Sequence, residues 1–446
     1  MEKNKTICAI STPLGNGGIS IVRMSGENSK NILQKVASVD VNKMEPRKMY
    51  LSKIHTQNFD EQALVVWFKA PASYTGEDMV EIQCHGGIAI ANGILNQLIT
   101  CGATLAEAGE FTKRAFVNGK MSLDSAEGVI DMINAQSEEA VKAGYNLLTG
   151  KLKERVNQIQ SKLTDSQAKI EVALDYPEED IDYSTSAEIK GELADALKQI
   201  EDLLLTTNTG KLVKNGVNVL ILGKPNTGKS SLLNSLVGYN RAIVTNIAGT
   251  TRDTIEDSYN YKNLTFNVID TAGIREAESI VEKIGIERAE ENVKSADIIL
   301  VVLDGSKPIE PEDEKILSLV KDKIVLYVIN KIDLPKKIDK TFDQMIEISA
   351  LRNQKVNALK EDIYNLVVDK NMLSGSLLIT NTRHANALKK ASEFLKSAIS
   401  QIEAGSTLDL VATDIKSAWL ELGSITGVCS NEEIINTIFS KFCLGK

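Results

Sequence analysis

The stretch Gly223-Lys-Pro-Asn-Thr-Gly228-Lys229-Ser230 sets two glycines, a lysine and a hydroxyl at the spacing of a phosphate-binding loop. Glycines let backbone N–H groups close around phosphate oxygens. A following helix adds its unpaired N-terminal donors and the positive end of its dipole. Lys229 would then reach the β- and γ-phosphates and the Ser230 hydroxyl would hold Mg²⁺, with Asn226, Thr227, Gly228 and Ser231 completing the nucleotide contacts.

Three further segments follow in the order a guanine-nucleotide site needs. Asp270-Thr271-Ala272-Gly273 offers a carboxylate for Mg²⁺ through water and a glycine N–H that can approach the γ-phosphate closely. Asn330-Lys331-Ile332-Asp333 ends an apolar run, and the Asp333 carboxylate can accept from both N1–H and the N2 amino group of guanine. Adenine has no such donor pair, so this chemistry selects GTP over ATP. Ser349-Ala350-Leu351 is placed to touch the base from the other side.

Hydrolysis needs an additional device. Ile274 stands where Ras-like enzymes carry the glutamine that orients the attacking water. Glu282, Arg275 and Arg252 are nearby candidates, although Glu282 also fits a solvated helix face among Glu276, Glu278, Glu287 and Glu290. The segment Thr245-Asn246-Ile247-Ala248-Gly249-Thr250-Thr251-Arg252-Asp253 supplies the adjacent Thr250 and Thr251, one for the Mg²⁺ shell, and backbone carbonyls suited to a large monovalent cation. With the Asn226 amide oxygen, such a loop could place K⁺ where an arginine finger would act.

These motifs require strands to present them. Val217–Leu222, Leu264–Ile269, Ile298–Leu303 and Ile324–Ile329 are short, β-rich apolar runs, and their alternation with helical segments predicts a doubly wound, mainly parallel sheet over 216–370. Residues 1–118 read as a small α+β domain, with strands at Thr6–Ile10, Ile19–Met24, Leu64–Lys69 and Met79–Gln83 and a helix at Gly87–Thr100. The glycine-rich Pro13–Gly18 turn precedes a strand and not a helix, so it reads as a hairpin connection. From Met121 apolar residues recur at helical spacing through Val129, Met132, Ile133, Val141 and Leu147–Leu148, which predicts long amphipathic helices. Asp175–Asp182 reads as a solvated acidic turn, Ala187–Thr206 as another helix, and the chain beyond Leu373 is again helical in texture. The expected fold is thus multidomain, α/β plus α: an N-terminal α+β domain 1–118, helical segments 119–215 and 371–446, and a nucleotide domain 216–370 inserted between them.

Composition agrees with a soluble protein of several domains: 446 residues, 43% hydrophobic and 25% charged. No apolar run approaches the ~18 residues of a membrane span, and no signal peptide is evident, so a cytoplasmic location is expected. The net charge of −9 speaks against a general nucleic-acid coat. The first 120 residues carry 13 Lys and Arg against 11 Asp and Glu, and the remainder 38 against 49. Any RNA contact must therefore use a local basic face. Cys8, Cys84, Cys101, Cys429 and Cys443 lack paired spacing, which argues against a zinc or disulfide framework and predicts reduced, mostly buried thiols for all but Cys443.

Asn226, Gly249-Thr-Thr-Arg-Asp253, Asp270-Thr-Ala-Gly-Ile274 and the terminal Phe442-Cys443-Leu-Gly-Lys446 together resemble the MnmE (TrmE) tRNA-modification GTPase family. Ser11–Gly26, Tyr74–Gly87 and Gly109–Lys120 resemble further motifs of that family, so the resemblance spans the whole chain. It implies an N-terminal domain that dimerises and binds a tetrahydrofolate, a discontinuous helical domain and an inserted G domain. It also implies that, with the FAD-dependent partner MnmG (GidA) in a heterotetramer, the homodimer adds an aminomethyl or carboxymethylaminomethyl group at C5 of the wobble uridine of certain tRNAs. The donor would be 5-formyl- or 5,10-methylene-tetrahydrofolate. By the same resemblance Asn226, Thr245, Ile247 and Thr250 would ligate K⁺ as G domains pair, Ser230 and Thr251 would ligate Mg²⁺, and Glu282 would orient water. Arg23, Glu81, Lys120 and Lys446 would line the folate pocket, which is reasonable for a ligand with carboxylates and a donor-bearing pterin edge.

Two positions depart from the family pattern: Leu444 replaces isoleucine and Ala108 replaces proline. Cys443 stands four from the end, but Gly445 and Lys446 do not fit a prenylation signal, and no membrane partner is expected. A redox or one-carbon role for Cys443 and an inert buried thiol both remain open. Two other functions compete: a ribosome-assembly or signalling GTPase without a modification role, and a one-carbon enzyme that the GTPase only regulates. A tandem G domain or a KH-type Gly-x-x-Gly module would favour the first, and neither is found.

Overall fold

The computed structural model describes residues 5–175, 183–238, 255–269, 291–321, 323–368, 377–429 and 431–445. The acidic run Asp175–Asp182 falls almost wholly outside them. So do the Thr245–Asp253 and Asp270–Ile274 segments, Arg275, Glu282 and Lys446. Contacts group the chain into two compact units: Met1–Ile130, Leu147–Ala194 and Glu393–Lys446 form one, and Asp131–Asn146 with Asp195–Ser392 form the other.

The first unit is built on a six-stranded sheet of β1 (Ile7–Ile10), β2 (Ile19–Ser25), β3 (Met49–His55), β4 (Asp60–Phe68), β5 (Met79–His85) and β6 (Thr104–Leu105), in the order β3-β4-β5-β2-β1-β6. β1 and β2 pair antiparallel across the glycine-rich turn, as a hairpin requires. The two-residue period divides the faces. Val22, Met24, Val65, Val80 and Ile82 face a core shared with helices Ser29–Val36 and Ile88–Thr100. On the opposite side Arg23 stands across from Glu81, and Ile21 across from Gln83. β3 and helix Ser29–Val36 are additions to the expected elements, and β4 starts at Asp60, ahead of Leu64.

The predicted long helices are interrupted at first. Helices Leu123–Asn134 and Glu138–Leu148 are separated near Ser137, whose hydroxyl accepts from the Ala140 N–H at 3.3 Å. Only then does a 25-residue helix, Lys151–Asp175, follow. Within the first unit it packs on Leu408–Thr426: Leu152, Val156, Ile159 and Leu163 are fully buried at three- and four-residue spacing, as are Val411, Ile415, Ala418 and Leu422. Among the described residues, no helix is long and apolar enough to cross a membrane.

The second unit carries the doubly wound sheet: β7 (Val217–Leu222), β8 (Ile255–Tyr261), β9 (Leu264–Ile269), β10 (Ile298–Asp304), β11 (Val325–Asn330) and β12 (Met345–Glu347), in the order β12-β11-β10-β7-β9-β8. All neighbours are parallel except the β8–β9 hairpin. Its apolar runs are continuous because both faces are covered. Val219, Ile221, Leu300 and Val302 enter one core, while Leu220, Leu222, Val301 and Leu303 enter the other. Strand order reverses on either side of β7, so the crevice beyond its carboxyl end is where such a sheet binds ligands.

Candidate functional site

That crevice is where β7 gives way to the phosphate loop. Gly228 is the N-cap of helix Lys229–Val237 with φ +97°, and it has no side-chain oxygen with which to cap the first-turn amides. A Cβ at Gly228 would collide with Asn330 Nδ2, so only glycine lets the loop and the end of β11 meet. Asn226 also takes a left-handed φ of +64°. The Lys229 ammonium donates to the carbonyls of Gly223 and Lys224, each at 2.7 Å. Thr227 is buried and its hydroxyl donates to Lys224 O at 3.0 Å.

Asn330 joins three loops: its Nδ2 donates to Thr227 O at 2.9 Å and its Oδ1 accepts from Ala350 N at 3.0 Å. Lys331 donates to Asn226 O at 2.7 Å and to Asp304 Oδ2 at 2.6 Å. Burial works against the Asp304 charge, but Lys331 and Ser306 outweigh it and hold that carboxyl below the usual aspartate range. Asp333 Oδ1 accepts from the Ser349 hydroxyl at 2.7 Å, and that bond, more than Arg352 nearby, keeps the carboxyl ionised below its ordinary value. A carboxylate fixed in this way suits a donor pair such as the guanine edge. Ser235 donates to Ser231 O and Ala350 O, fastening the helix to the same corner, whereas Leu351 is largely exposed.

The structure thus brings together Asn226, Thr227, Gly228, Lys229, Ser230 and Ser231 with Asn330, Lys331, Asp333, Ser349 and Ala350. The remaining nucleotide and metal candidates, Thr245 to Thr251 and Asp270 to Gly273, lie outside the described residues, as does Glu282. Asp304 was not among the expected residues. Its signal was available, since a carboxylate at the carboxyl end of a parallel strand stands at the ligand edge.

A second polar centre lies on the face of the N-terminal sheet opposite the core shared with helices Ser29–Val36 and Ile88–Thr100. Arg23 and Glu81 are register partners on β2 and β5, joined through Arg23 Nε at 2.9 Å and Nη2 at 2.8 Å to the same carboxylate oxygen. Arg23 Nη1 also donates to Gly445 O at 3.3 Å, and Ser11 Oγ donates to that carbonyl at 3.1 Å. Gly445 has φ +85°, and a Cβ there would run into Ile10 O. Rings of Tyr74 and Phe111 lie 5.9 and 5.8 Å from the guanidinium carbon. Lys120 is not joined to this pair; its ammonium donates to Pro71 O at 3.0 Å, on the loop that also carries Tyr74. Lys446 follows Gly445 outside the described residues.

Two thiol expectations are settled by exposure. Cys8 and Cys84 are buried, and burial pushes their thiols up, to about 12 and about 11. Cys429 is exposed, contrary to the expected burial: it follows the carboxyl end of helix Leu408–Thr426, where the chain leaves the packed face. Cys443 is exposed too, which removes the buried-thiol alternative, and its carbonyl accepts weakly from Gly109 N at 3.4 Å.

Two family models match the chain: residues 6–120 match the N-terminus of the GTP-binding protein TrmE, and residues 123–443 match the MnmE helical domain. The tRNA modification GTPase MnmE of Clostridioides difficile is 40% identical, with 99% of this chain and 99% of that protein covered. The proteins of the same name from Natranaerobius thermophilus and Desulforamulus reducens are 42% and 43% identical, each again with 99% of both chains covered. Among solved structures, Era from Aquifex aeolicus is 28% identical over 40% of this chain and 66% of that one, at a TM-score of 0.28, too loose a superposition to carry a conclusion. Full-length identity at this level, over a chain with an assembled guanine-nucleotide corner, settles the family: the chain belongs to the MnmE family of tRNA modification GTPases.

Proposed function

We propose that this GTPase drives modification of the wobble uridine of certain tRNAs, adding an aminomethyl or carboxymethylaminomethyl group at C5 together with an FAD-dependent MnmG (GidA) partner. In this reading the protein is a cytoplasmic homodimer, the one-carbon unit comes from a tetrahydrofolate, and domains 1–118, 119–215, 216–370 and 371–446 divide the work. The observation that carries the proposal is the full-length likeness to tRNA modification GTPases, together with a phosphate loop bonded to Asn330, three residues before a carboxylate suited to guanine.

Within the G domain, Ser230 and Thr251 are proposed for Mg²⁺, and Asn226 with Thr245, Ile247 and Thr250 for K⁺. Of this set, Asn226 and Ser230 lie among the described residues, in the phosphate loop and in the first turn of the helix that follows it. Magnesium and potassium would offset phosphate charge when bound. Glu282 is proposed to orient water and Cys443 to serve the modification chemistry. Arg23, Glu81, Lys120 and Lys446 are proposed for the folate. The Arg23–Glu81 pair fits that ligand because it offers a cationic fork and a carboxylate side by side.

The test is reconstituted modification of a substrate tRNA with partner, GTP, folate and K⁺, each omitted in turn. Every omission is expected to abolish wobble-uridine product. Formation of product without GTP or without folate would overturn the reading. Substitution of Na⁺ for K⁺ should slow GTP turnover sharply, and equal rates would remove the potassium assignment.

A further inference from the structure

We infer that Lys224 is a positioning residue that clamps the phosphate loop through Asp313 and Glu310. The side chain of Lys224 is only 11% exposed and its ammonium lies 2.7 Å from Asp313 Oδ2 and 2.6 Å from Glu310 Oε2. Both acids belong to the start of helix Pro311–Leu319. There Glu310 is the N-cap, and Asp313 Oδ2 accepts from Glu310 N at 3.0 Å in a reciprocal capping box. Asp313 is 4% exposed, and its second oxygen is buried with no hydrogen-bond partner among the described residues. Lys224 therefore offsets the burial of this carboxylate, which would be costly with one amide donor alone.

The other end of Lys224 is the functional one. Its carbonyl accepts from both Lys229 Nζ and the Thr227 hydroxyl, at 2.7 and 3.0 Å, so one of the atoms that position the phosphate-binding lysine sits on the clamped residue. Asn226, two residues on, is held in its left-handed conformation with its carbonyl on Lys331. Lys331 is fixed in turn by Asp304. The connection from β10 to helix Pro311–Leu319 thus grips the loop twice, once through Asp304 and Lys331 and once through Asp313, Glu310 and Lys224. A loop ordered in advance loses less entropy on binding phosphate, so the clamp raises nucleotide affinity without touching the nucleotide.

The experiment measures release of mant-GDP and steady-state GTP hydrolysis by the full chain. Lys224→Met should release mant-GDP about tenfold faster and raise KM for GTP about tenfold, with kcat falling no more than about threefold, the size of one lost charge-assisted contact. Lys224→Arg, which keeps the charge and reaches both acids, should stay within about threefold of the parent. Asp313→Asn should speed release about threefold alone and add less than about twofold to Lys224→Met, because both changes open one clamp. Release from Lys224→Met within about twofold of the parent, or an Arg variant as impaired as Met, would overturn the inference. So would an unchanged Asp313→Asn, which also decides the matter should Lys224→Met fail to fold.

Discussion

The two polar centres hold their principal cations in opposite ways. On the nucleotide side the contacts of Lys229 include two neutral carbonyls, Gly223 O and Lys224 O. On the N-terminal sheet Arg23 is already committed to the Glu81 carboxylate. An ammonium bond to a carbonyl contributes about 1.5–3 kcal/mol, and a doubly charged phosphate replaces it with a charge–charge contact, so these two carbonyls can be exchanged for a ligand. Arg23 has no such freedom. Separating it from Glu81 would leave a carboxylate whose side chain is 14% exposed without its counter-charge. The first centre is built to surrender its cation to a ligand, and the second to present a cation and an anion as one surface.

The strongest way to break this comparison is Lys229→Ala. GTP turnover should fall by at least ~100-fold, because the charge developing on the phosphates loses its preorganised partner. Retention of more than about a tenth of turnover would show that Lys229 stays on the carbonyls in the loaded state.

A smaller effect is expected from Arg23→Met. Loss of the guanidinium should cost about 1–3 kcal/mol locally, read as faster amide exchange in β2, β5 and around Gly445. The double variant with Glu81→Gln should recover more than half of that loss, since a neutral pair leaves no stranded charge. If the single and double variants exchange alike, the pair is not one unit and the contrast with Lys229 fails.

The same two centres show what could be read in advance. Val217–Leu222 and Leu264–Ile269 were legible to the residue, because burial on both faces writes a continuous apolar run into the sequence. β8 was not, since Ile-Glu-Asp-Ser-Tyr-Asn-Tyr is an edge strand with four of its seven residues polar. The Arg23–Glu81 pair could be suspected from motif likeness, but nothing local places Gly445 O beside a side chain 422 positions earlier. Such closures depend on tertiary packing. Here it is a glycine at φ +85°, which alone lets the chain pass against Ile10 O. The Lys224 clamp was hidden for the same reason: its acids lie 86 and 89 positions downstream, in a helix start that reads as ordinary capping.

Lys360 gives the smallest and most discriminating test, because it is a cation with neither kind of support. It is 9% exposed, and its ammonium lies 5.1 Å from the centre of the Tyr259 ring. Among the described residues no carboxylate pairs with it, and burial holds the ammonium below its ordinary value of 10.5. A lysine depressed in the folded state binds its proton more weakly there than in the unfolded chain. Its penalty is therefore complete at neutral pH and fades as pH rises from the folded value towards 10.5. Lys360→Met should thus stabilise the second unit by about 1 kcal/mol at pH 7, with the gain shrinking in alkaline buffer, as thermal scans at the two pH values would show. A destabilised Met variant would mean that the ammonium's contact with the Tyr259 ring outweighs its desolvation. Support by a neutral group would then suffice for a buried cation in this unit.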